Sequence, residues 1–154
     1  ETHIIEEISK GASGLAQKRL GALIVIEREI NLEYFIEVGT EMDAEISSEI
    51  LFSIFQPNSP LHDGAVIVRN GRLFAAGCFL PLSKNPALDK NLGTRHRAAI
   101  GLTEETDALV IVVSEENSWV GVVESGQLNH DLDHAAVRKR LYETFGLKYR
   151  PQAT

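Results

Sequence analysis

The sequence predicts an α/β protein: a single domain, residues 1–154, with helices flanking a central mixed (parallel and antiparallel) β-sheet. Short runs of β-branched and aliphatic residues, such as "GALIVIE" and "ALVIVVS", are typical of buried strands. Segments with helical spacing of apolar residues occur between pairs of these runs, which favours a mixed sheet. No repeat, low-complexity segment or linker divides the chain, and its length suits one hydrophobic core.

The first half of the chain predicts two helices and two strands. Residues 3–19 carry apolar side chains at helical spacing and predict an amphipathic helix. Residues 21–27 predict a short buried strand, and the alternating residues 33–39 predict its neighbour. Residues 44–55 predict a second helix that ends at "QPNSP", because proline cannot continue a helix.

The second half begins with a predicted hairpin. Asn70 and Gly71 separate the apolar runs 65–68 and 72–80, and Asn-Gly between such runs is a strong hairpin signal. A polar loop follows. The remaining elements are predicted in the order helix, strand, strand, helix: residues 94–106, 108–114, 118–126 and 130–146. Gly146 is expected just beyond the end of the last helix.

Charge excludes one class of function. The net charge of −7 argues against general nucleic-acid binding. Residues 1–60 carry 11 acidic and 4 basic side chains, whereas residues 61–154 carry 11 of each. Any anion site is therefore expected in the second part of the chain, where a local basic cluster must create it.

Several side chains are expected to serve the fold. The single cysteine, Cys78, excludes an internal disulfide framework and lies in an apolar run, so it is predicted to pack in the core. The aromatic residues Phe52, Phe55, Phe74, Phe79 and Trp119 are also predicted to be core.

The sequence shows no membrane span or signal peptide. It begins at Glu1, so a fragment or processed form of a longer protein is expected.

The segment "GTRHRAAIG" breaks the usual rules for a helix start. Thr94 is the predicted N-cap, and Arg95, His96 and Arg97 follow in the first turn. Cations there oppose the helix dipole, and a capping box would require Glu or Gln where Arg97 stands. A bound anion would resolve this conflict, and phosphate is its usual form. The alternative is a solvated basic turn, or arginines paired to acidic neighbours.

The segment "LHDG" precedes a buried strand without making the turn of a hairpin. Asp63 stands at the strand entrance, where a carboxylate can hold a divalent cation or accept a proton from a hydroxyl. Gly64 permits close approach of a ligand or of backbone. His62 is a candidate second ligand, suited to Mn²⁺ more than to Mg²⁺. The alternative is a local turn at Asp63 with His62 bonded to backbone.

Two further segments contain acidic residues or histidines that could bind a ligand. Glu115 and Glu116 directly follow a predicted central strand, where α/β proteins gather ligands, although most such pairs are simply solvated. His130 and His134 are four residues apart and could chelate a metal. Neighbouring Asp131 and Asp133 suit a helix start, so this region is interpreted as a cap and surface: residues 130–134.

The two motifs together resemble a known family. "LHDGAVIV" and "GTRHRAAIGL", about thirty residues apart, resemble the paired DGA and RHR motifs of diadenylate cyclase (DAC) domains. The segments "NGRLFAAGCFLPLS" and "LVIVVSEE" are also similar, so the resemblance covers nearly the entire chain. It is nearest to the membrane-anchored CdaA type, whose members make cyclic di-AMP from two ATP molecules with a divalent metal.

The resemblance implies roles for individual residues. Asp63 is implied to bind the metal, Mn²⁺ (or Mg²⁺ or Co²⁺), and to activate the ribose 3′-hydroxyl, with His62 as a second metal ligand. Catalysis is implied for Asp63, Arg95, His96 and Arg97. The implied nucleotide-binding residues are Gly64, Ala65, Leu80, Thr94, Arg95, His96, Arg97, Ser114 and Glu116.

The resemblance also implies partners. Two sites face each other in a homodimer, and the parent protein is anchored at the cytoplasmic face of the bacterial membrane by N-terminal helices that this catalytic fragment lacks. A membrane regulator with YbbR domains and phosphoglucosamine mutase are implied partners. Two alternatives stay open: another metal-dependent nucleotidyl transferase or phosphohydrolase, and a nucleotide sensor without catalysis.

Overall fold

A computed structural model describes residues 2–116, 119–147 and 149, and it confirms the predicted α/β class with a mixed sheet. The helices are α1 (Thr2–Gln17), α2 (Glu33–Glu37), α3 (Ser48–Ile54), α4 (Thr94–Glu105) and α5 (His134–Thr144). The strands are β1 (Ala22–Ile26), β2 (Thr40–Ala44), β3 (Ala65–Arg69), β4 (Arg72–Cys78), β5 (Leu109–Val113), β6 (Val120–Glu124) and β7 (Gln127–Leu132). They form one sheet in the order β2-β4-β3-β1-β5-β6-β7, in which β1 and β3 are parallel and the other neighbours are antiparallel.

Two apolar layers cover the faces of the sheet. On one face α1, α3 and α5 pack against inward side chains such as Ile24 and Ile111. On the other face α2 and α4 pack against the alternate side chains, such as Val25 and Val110. All five residues of β1 and of β5 are buried, because these central strands are covered on both sides. None of the helices in the described ranges is long and apolar enough to cross a lipid bilayer.

The predicted strand at residues 33–39 is wrong. Residues 33–37 form the short helix α2, and the strand follows as β2. Leu32 and Ile36 are both buried and four residues apart, and the backbone N–H of Ile36 donates to the Leu32 carbonyl at 3.1 Å. This hydrogen bond, from residue i to residue i−4, closes a helical turn, and it places both side chains on the same side of α2. Strand β2 escaped prediction because it is an edge strand with exposed residues such as Glu41 and Asp43.

The predicted last helix begins too early. Residues 130–132 belong to β7, which pairs with β6 through a tight turn at Ser125 and Gly126, both with positive φ. Helix α5 begins at His134, and its N-cap Asp133 accepts a hydrogen bond from the Ala136 backbone N–H at 2.9 Å. The capping role predicted for Asp133 is confirmed. Of the predicted strand 118–126, residue 118 lies outside the described part of the chain.

Other local predictions are confirmed. Asn70 and Gly71 have positive φ and join β3 to β4 in a hairpin. Cys78 is fully buried, and burial raises the pKa of its thiol to about 11, so it packs as a neutral core residue. Gly146 has a φ of 70° and follows α5, where the N–H groups of Gly146 and Leu147 donate to last-turn carbonyls.

Gly101 lets α4 approach the loop that follows β4. A β-carbon built on Gly101 would overlap the Pro81 carbonyl oxygen and lie 2.8 Å from the Ser83 backbone nitrogen. The Ser83 N–H donates to the Arg97 carbonyl at 3.0 Å, so the loop is bonded to the helix at this point. This contact holds the loop carrying Leu80 against the first turns of α4.

Gly101→Ala is expected to lower the free energy of unfolding by about 1–3 kcal/mol, because the clash is with backbone that cannot rotate away. Helix propensity alone would favour alanine by about 1 kcal/mol, so a loss identifies the close approach. Urea unfolding measures the change. Glu105→Ala, at the exposed end of the same helix, is the control, and a stabilised Gly101→Ala variant would contradict the packing argument.

Candidate functional site

A cavity of about 620 Å³ opens where α4, the end of β5 and the loop before β3 meet, and its volume lies in the range of small-molecule sites. It brings together many of the residues proposed from the sequence: Asp63, Gly64, Leu80, Thr94, Arg95, His96, Ser114 and Glu116. These residues lie in separate segments of the sequence. The fold therefore brings the DGA and RHR motifs together at one cavity.

Three of the proposed residues do not line this cavity. Ala65 is fully buried as the first residue of β3. The Arg97 guanidinium donates to the carbonyl oxygens of Leu92 at 3.2 Å and Asp89 at 2.9 Å, and so holds the loop before α4. His62, partly buried, is bonded locally, and its Nδ1 lies 2.7 Å from the Ser59 carbonyl oxygen.

The cavity also contains residues that sequence reasoning placed elsewhere. Phe79 and Trp119, predicted to be core, are 59% and 45% exposed and line the cavity, so that prediction is wrong for both. Their exposure is not evident from the sequence, because both residues adjoin apolar strand-like segments. An aromatic residue in such a segment can lie in the core or at the edge of a cavity. His130 and Asp131, interpreted as surface near a helix start, also line the cavity. Only the pairing of β7 with β6 carries them there.

Helix α4 presents an uncapped, basic N-terminus to the cavity. Its N-cap is Gly93, not the predicted Thr94, and glycine has no side chain with which to cap the helix. The first turn contains no acidic residue, and the Arg97 N–H makes the first helical bond, to the Gly93 carbonyl at 3.1 Å. The preceding N–H groups have no partner within the helix. Together with the helix dipole, they favour an anion at this end.

The Arg95 side chain lines the cavity and extends toward Glu115 at the end of β5. Its Nη1 lies 3.5 Å from Glu115 Oε1, and the Glu115 side chain is 64% exposed. An ion pair this exposed contributes little to stability, because water screens it and side-chain entropy opposes it. Arg95 can therefore exchange this carboxylate for a phosphate at small cost.

The surroundings of His96 favour its neutral imidazole. Burial lowers the pKa of its imidazole, and the nearby His130 and Arg95 lower it further, whereas Glu116 raises it. The fixed positive charge at this end of the cavity is thus carried by arginine. A neutral imidazole can still donate one hydrogen bond and accept another.

The structure explains why a glycine follows Asp63 in the segment "LHDG". Its φ of 102° lies in the region that favours glycine, and a β-carbon there would lie 2.9 Å from the Gly77 carbonyl carbon and 3.0 Å from the Cys78 carbonyl oxygen. The glycine is needed because β4 passes directly beside it. The exposed Asp63 side chain is left at the cavity.

The donor set fits a divalent cation shared with a ligand. A carbonyl oxygen can only accept, so His62 Nδ1 donates to Ser59, and in that neutral tautomer Nε2 would have a lone pair with which to bind a metal. Asp63 supplies a carboxylate. Within the described ranges, no group of three or more His, Cys, Asp and Glu side chains could by itself hold a metal. One carboxylate completed by phosphate oxygens is a usual arrangement for nucleotide-bound cations.

Comparison with known proteins identifies relatives of the whole fold. The family described as DAC, DisA bacterial checkpoint controller nucleotide-binding, matches residues 9–128. The chain is 48% identical over 141 residues to the cyclic di-AMP synthase CdaA of Bacillus subtilis, covering 92% of this chain and 52% of that protein. It is 45% identical over 139 residues to a diadenylate cyclase of Listeria monocytogenes, covering 90% and 51%. The chain thus spans about half the length of these curated relatives.

Solved structures agree on the fold. The crystal structure of a double cysteine mutant of DacA from Staphylococcus aureus superposes with a TM-score of 0.89 at 44% identity, covering 92% of this chain and 95% of that one. The crystal structure of a hypothetical membrane spanning protein from Bacillus cereus gives a TM-score of 0.80 at 44% identity, covering 83% and 63%.

The lowered pKa of His96 predicts a pH dependence of stability. The unfolded imidazole has a pKa of about 6.5 and binds protons that the folded one rejects, so stability falls as the pH drops below that value. Chemical unfolding between pH 5 and 7 measures the slope. His96→Gln is expected to reduce it, whereas His3→Gln, an exposed control on α1, leaves it unchanged. An equal slope in His96→Gln would contradict the assignment.

Proposed function

The chain belongs to the DAC family, and on that premise we propose that it is the catalytic domain of a diadenylate cyclase, which condenses two ATP molecules into cyclic di-AMP and two pyrophosphates. One observation carries the proposal: a single cavity joins an uncapped, basic helix N-terminus to the carboxylate of Asp63. Phosphate binding and hydroxyl activation are the two requirements of this reaction, and each has a matching group.

The α4 end of the cavity is proposed to hold the triphosphate. Backbone N–H groups, the Thr94 hydroxyl and the Arg95 guanidinium are donors that suit phosphate oxygens. His96 adds a neutral donor. Charge that builds on the phosphates during transfer is stabilised by these fixed groups. Arg97, whose guanidinium donates to the carbonyl oxygens of Leu92 and Asp89, is proposed to hold the loop before α4 in place.

Asp63 and His62 are proposed to hold the divalent cation, Mn²⁺ or Mg²⁺ or Co²⁺, with Glu116 nearby. When bound, such a cation neutralises phosphate charge and lowers the pKa of a coordinated hydroxyl. The Asp63 carboxylate accepts the proton of the 3′-hydroxyl of one ATP. The 3′-oxygen forms a bond to the α-phosphorus of the other ATP, and the bond from that phosphorus to the bridging oxygen breaks, releasing pyrophosphate. Repetition with the roles exchanged closes the ring.

The apolar residues that line the cavity are proposed to hold the adenine. Leu80 and the exposed Phe79 and Trp119 provide apolar surface on which a base can stack. Gly64 and the buried Ala65 are proposed to bring the backbone close to the nucleotide, and Ser114, which lines the cavity, is proposed to lie near the phosphates.

A homodimer is proposed as the active form. One cavity of this size holds one nucleotide, whereas the product is two-fold symmetric, so two cavities must face each other across an isologous interface. The resemblance further suggests a parent protein anchored at the bacterial membrane, regulated by a YbbR-domain protein and associated with phosphoglucosamine mutase. These partners are proposals that binding experiments with the full-length protein can test.

Two other functions make different predictions for the products. A phosphohydrolase or another nucleotidyl transferase would yield ADP, AMP or a linear adduct from ATP and Mn²⁺. A sensor would bind ATP or cyclic di-AMP without turnover. Chromatography of the reaction mixture separates all three, and cyclic di-AMP with two equivalents of pyrophosphate is the expected result.

Asp63→Asn is expected to lower kcat by about 10²–10⁴-fold, because the amide cannot accept the hydroxyl proton. ATP affinity measured without metal should change little, since the cation and the proton are the partners of this carboxylate. Asp43→Asn, exposed on β2, is the matched control. An Asp63→Asn enzyme with normal turnover would favour the sensor or a different base.

Arg95→Ala is expected to weaken ATP binding by roughly 10- to 100-fold, as loss of a hydrogen bond to a charged group implies. The thermal midpoint should change little, because the ion pair with Glu115 is exposed. Arg72→Ala is the control, since Arg72 forms a comparable exposed pair with Asp43 at the β2–β4 edge. Calorimetric titration and thermal unfolding give the two readouts. Unfolding of Arg95→Ala would instead assign Arg95 a structural role.

A further inference from the structure

The start of β1 passes directly beneath the Arg95 side chain. Gly21 precedes β1 and is buried. A β-carbon built on Gly21 would overlap Cζ and Nη1 of Arg95 and lie 2.8 Å from Nε. The guanidinium therefore occupies the space beside Gly21 that any side chain at this position would fill.

The register of the sheet places this contact at the cavity floor. Ala22 pairs with Val113, so the next position outward sets Gly21 beside Ser114, which lines the cavity. From this point Arg95 extends to within 3.5 Å of Glu115. Gly21 thus lies beside the Arg95 guanidinium, at the point from which the side chain reaches Glu115.

Conformation does not require a glycine here. The φ of Gly21 lies outside the left-handed region, so alanine fits the backbone without strain. The atoms that a methyl group would meet belong to the end of a flexible side chain, not to backbone. Alanine would therefore be accommodated by displacement of the guanidinium, with the strand left in place.

We infer that Gly21 is a positioning residue for Arg95: its missing side chain sets the guanidinium at the height above the sheet from which it binds nucleotide phosphates. The inference rests on the proposed function for its ligand. It concerns a residue outside both motifs, which acts only through Arg95 and makes no contact of its own with the nucleotide.

A double-mutant cycle tests the inference. Gly21→Ala, Arg95→Ala and the double variant are titrated with ATP in the absence of metal, and the thermal midpoint of each is recorded. Gly21→Ala is expected to weaken ATP binding about tenfold, as a displaced charged donor implies. In the Arg95→Ala background the same substitution is expected to have no further effect, because residues that act through one another are not additive.

A readout on Arg95 itself needs no ligand. The ¹⁵N–¹H resonance of the Arg95 Nε–H group, assigned by its loss in Arg95→Ala, is expected to shift in Gly21→Ala. Gly14→Ala is the matched control, because a β-carbon at Gly14 of α1 would lie 2.5 Å from the flexible Phe52 ring, which is a clash of the same kind. That variant should leave the Arg95 resonance and the ATP affinity unchanged.

Each contrary result has a distinct meaning. An unshifted Arg95 resonance in Gly21→Ala, or an equal loss of affinity in the Arg95→Ala background, overturns the positioning role. Failure of Gly21→Ala to fold while Gly14→Ala folds also overturns it, because strand packing would then explain the glycine. If Arg95→Ala binds ATP normally, the proposed phosphate role fails, and the resonance alone decides whether Gly21 positions the guanidinium.

Discussion

The cavity depends on the antiparallel pairing of β1 with β5 at the centre of the sheet. All the residues of these two strands are buried, and their alternate side chains enter the two opposite apolar layers. A slip of one residue would exchange the layers, so burial fixes the register. That register determines where β1 begins and β5 ends, and therefore where Ser114 and Glu115 leave the sheet. Arg95 lies across this junction, and its position follows from the core beneath it.

The residues at the start of α4 do not stabilise this end of the helix. Arginines oppose the helix dipole, the N-cap is a glycine, and Arg95 is paired with Glu115, whose side chain is largely exposed. The helix is held instead by tertiary contacts: Ala99, Ile100 and Leu102 are buried, and Gly101 packs against the Pro81 backbone. Because packing elsewhere secures the helix, its first turn is available to bind an anion.

The elements that sequence reasoning predicted well share a local cause. The core strands are continuous β-branched runs, and the β3–β4 turn is Asn-Gly, so each is specified by its own residues. The errors fall on elements whose conformation depends on neighbours. Residues 33–37 form a helix although the sequence predicts a strand over residues 33–39, because side chains four residues apart, such as Leu32 and Ile36, share a face in either conformation and their spacing alone does not distinguish the two. Strand β7 is polar and exposed, and its pairing with β6 is the only feature that makes it a strand.

The α/β class, the central strands, the chemical character of the two motifs and the family they resemble could all be predicted, because residue type and spacing specify them. Tertiary structure alone decided which side chains share a cavity. Phe79, Trp119, His130 and Asp131 line it, whereas Arg97 is bonded to loop carbonyls and Ala65 is enclosed in the core. The need for glycine at positions 64 and 21 is also decided by tertiary structure, because the atoms that exclude a side chain at each position belong to other segments of the chain. Exposure and contact are properties of packed surfaces, and a linear pattern does not contain the neighbours that create them.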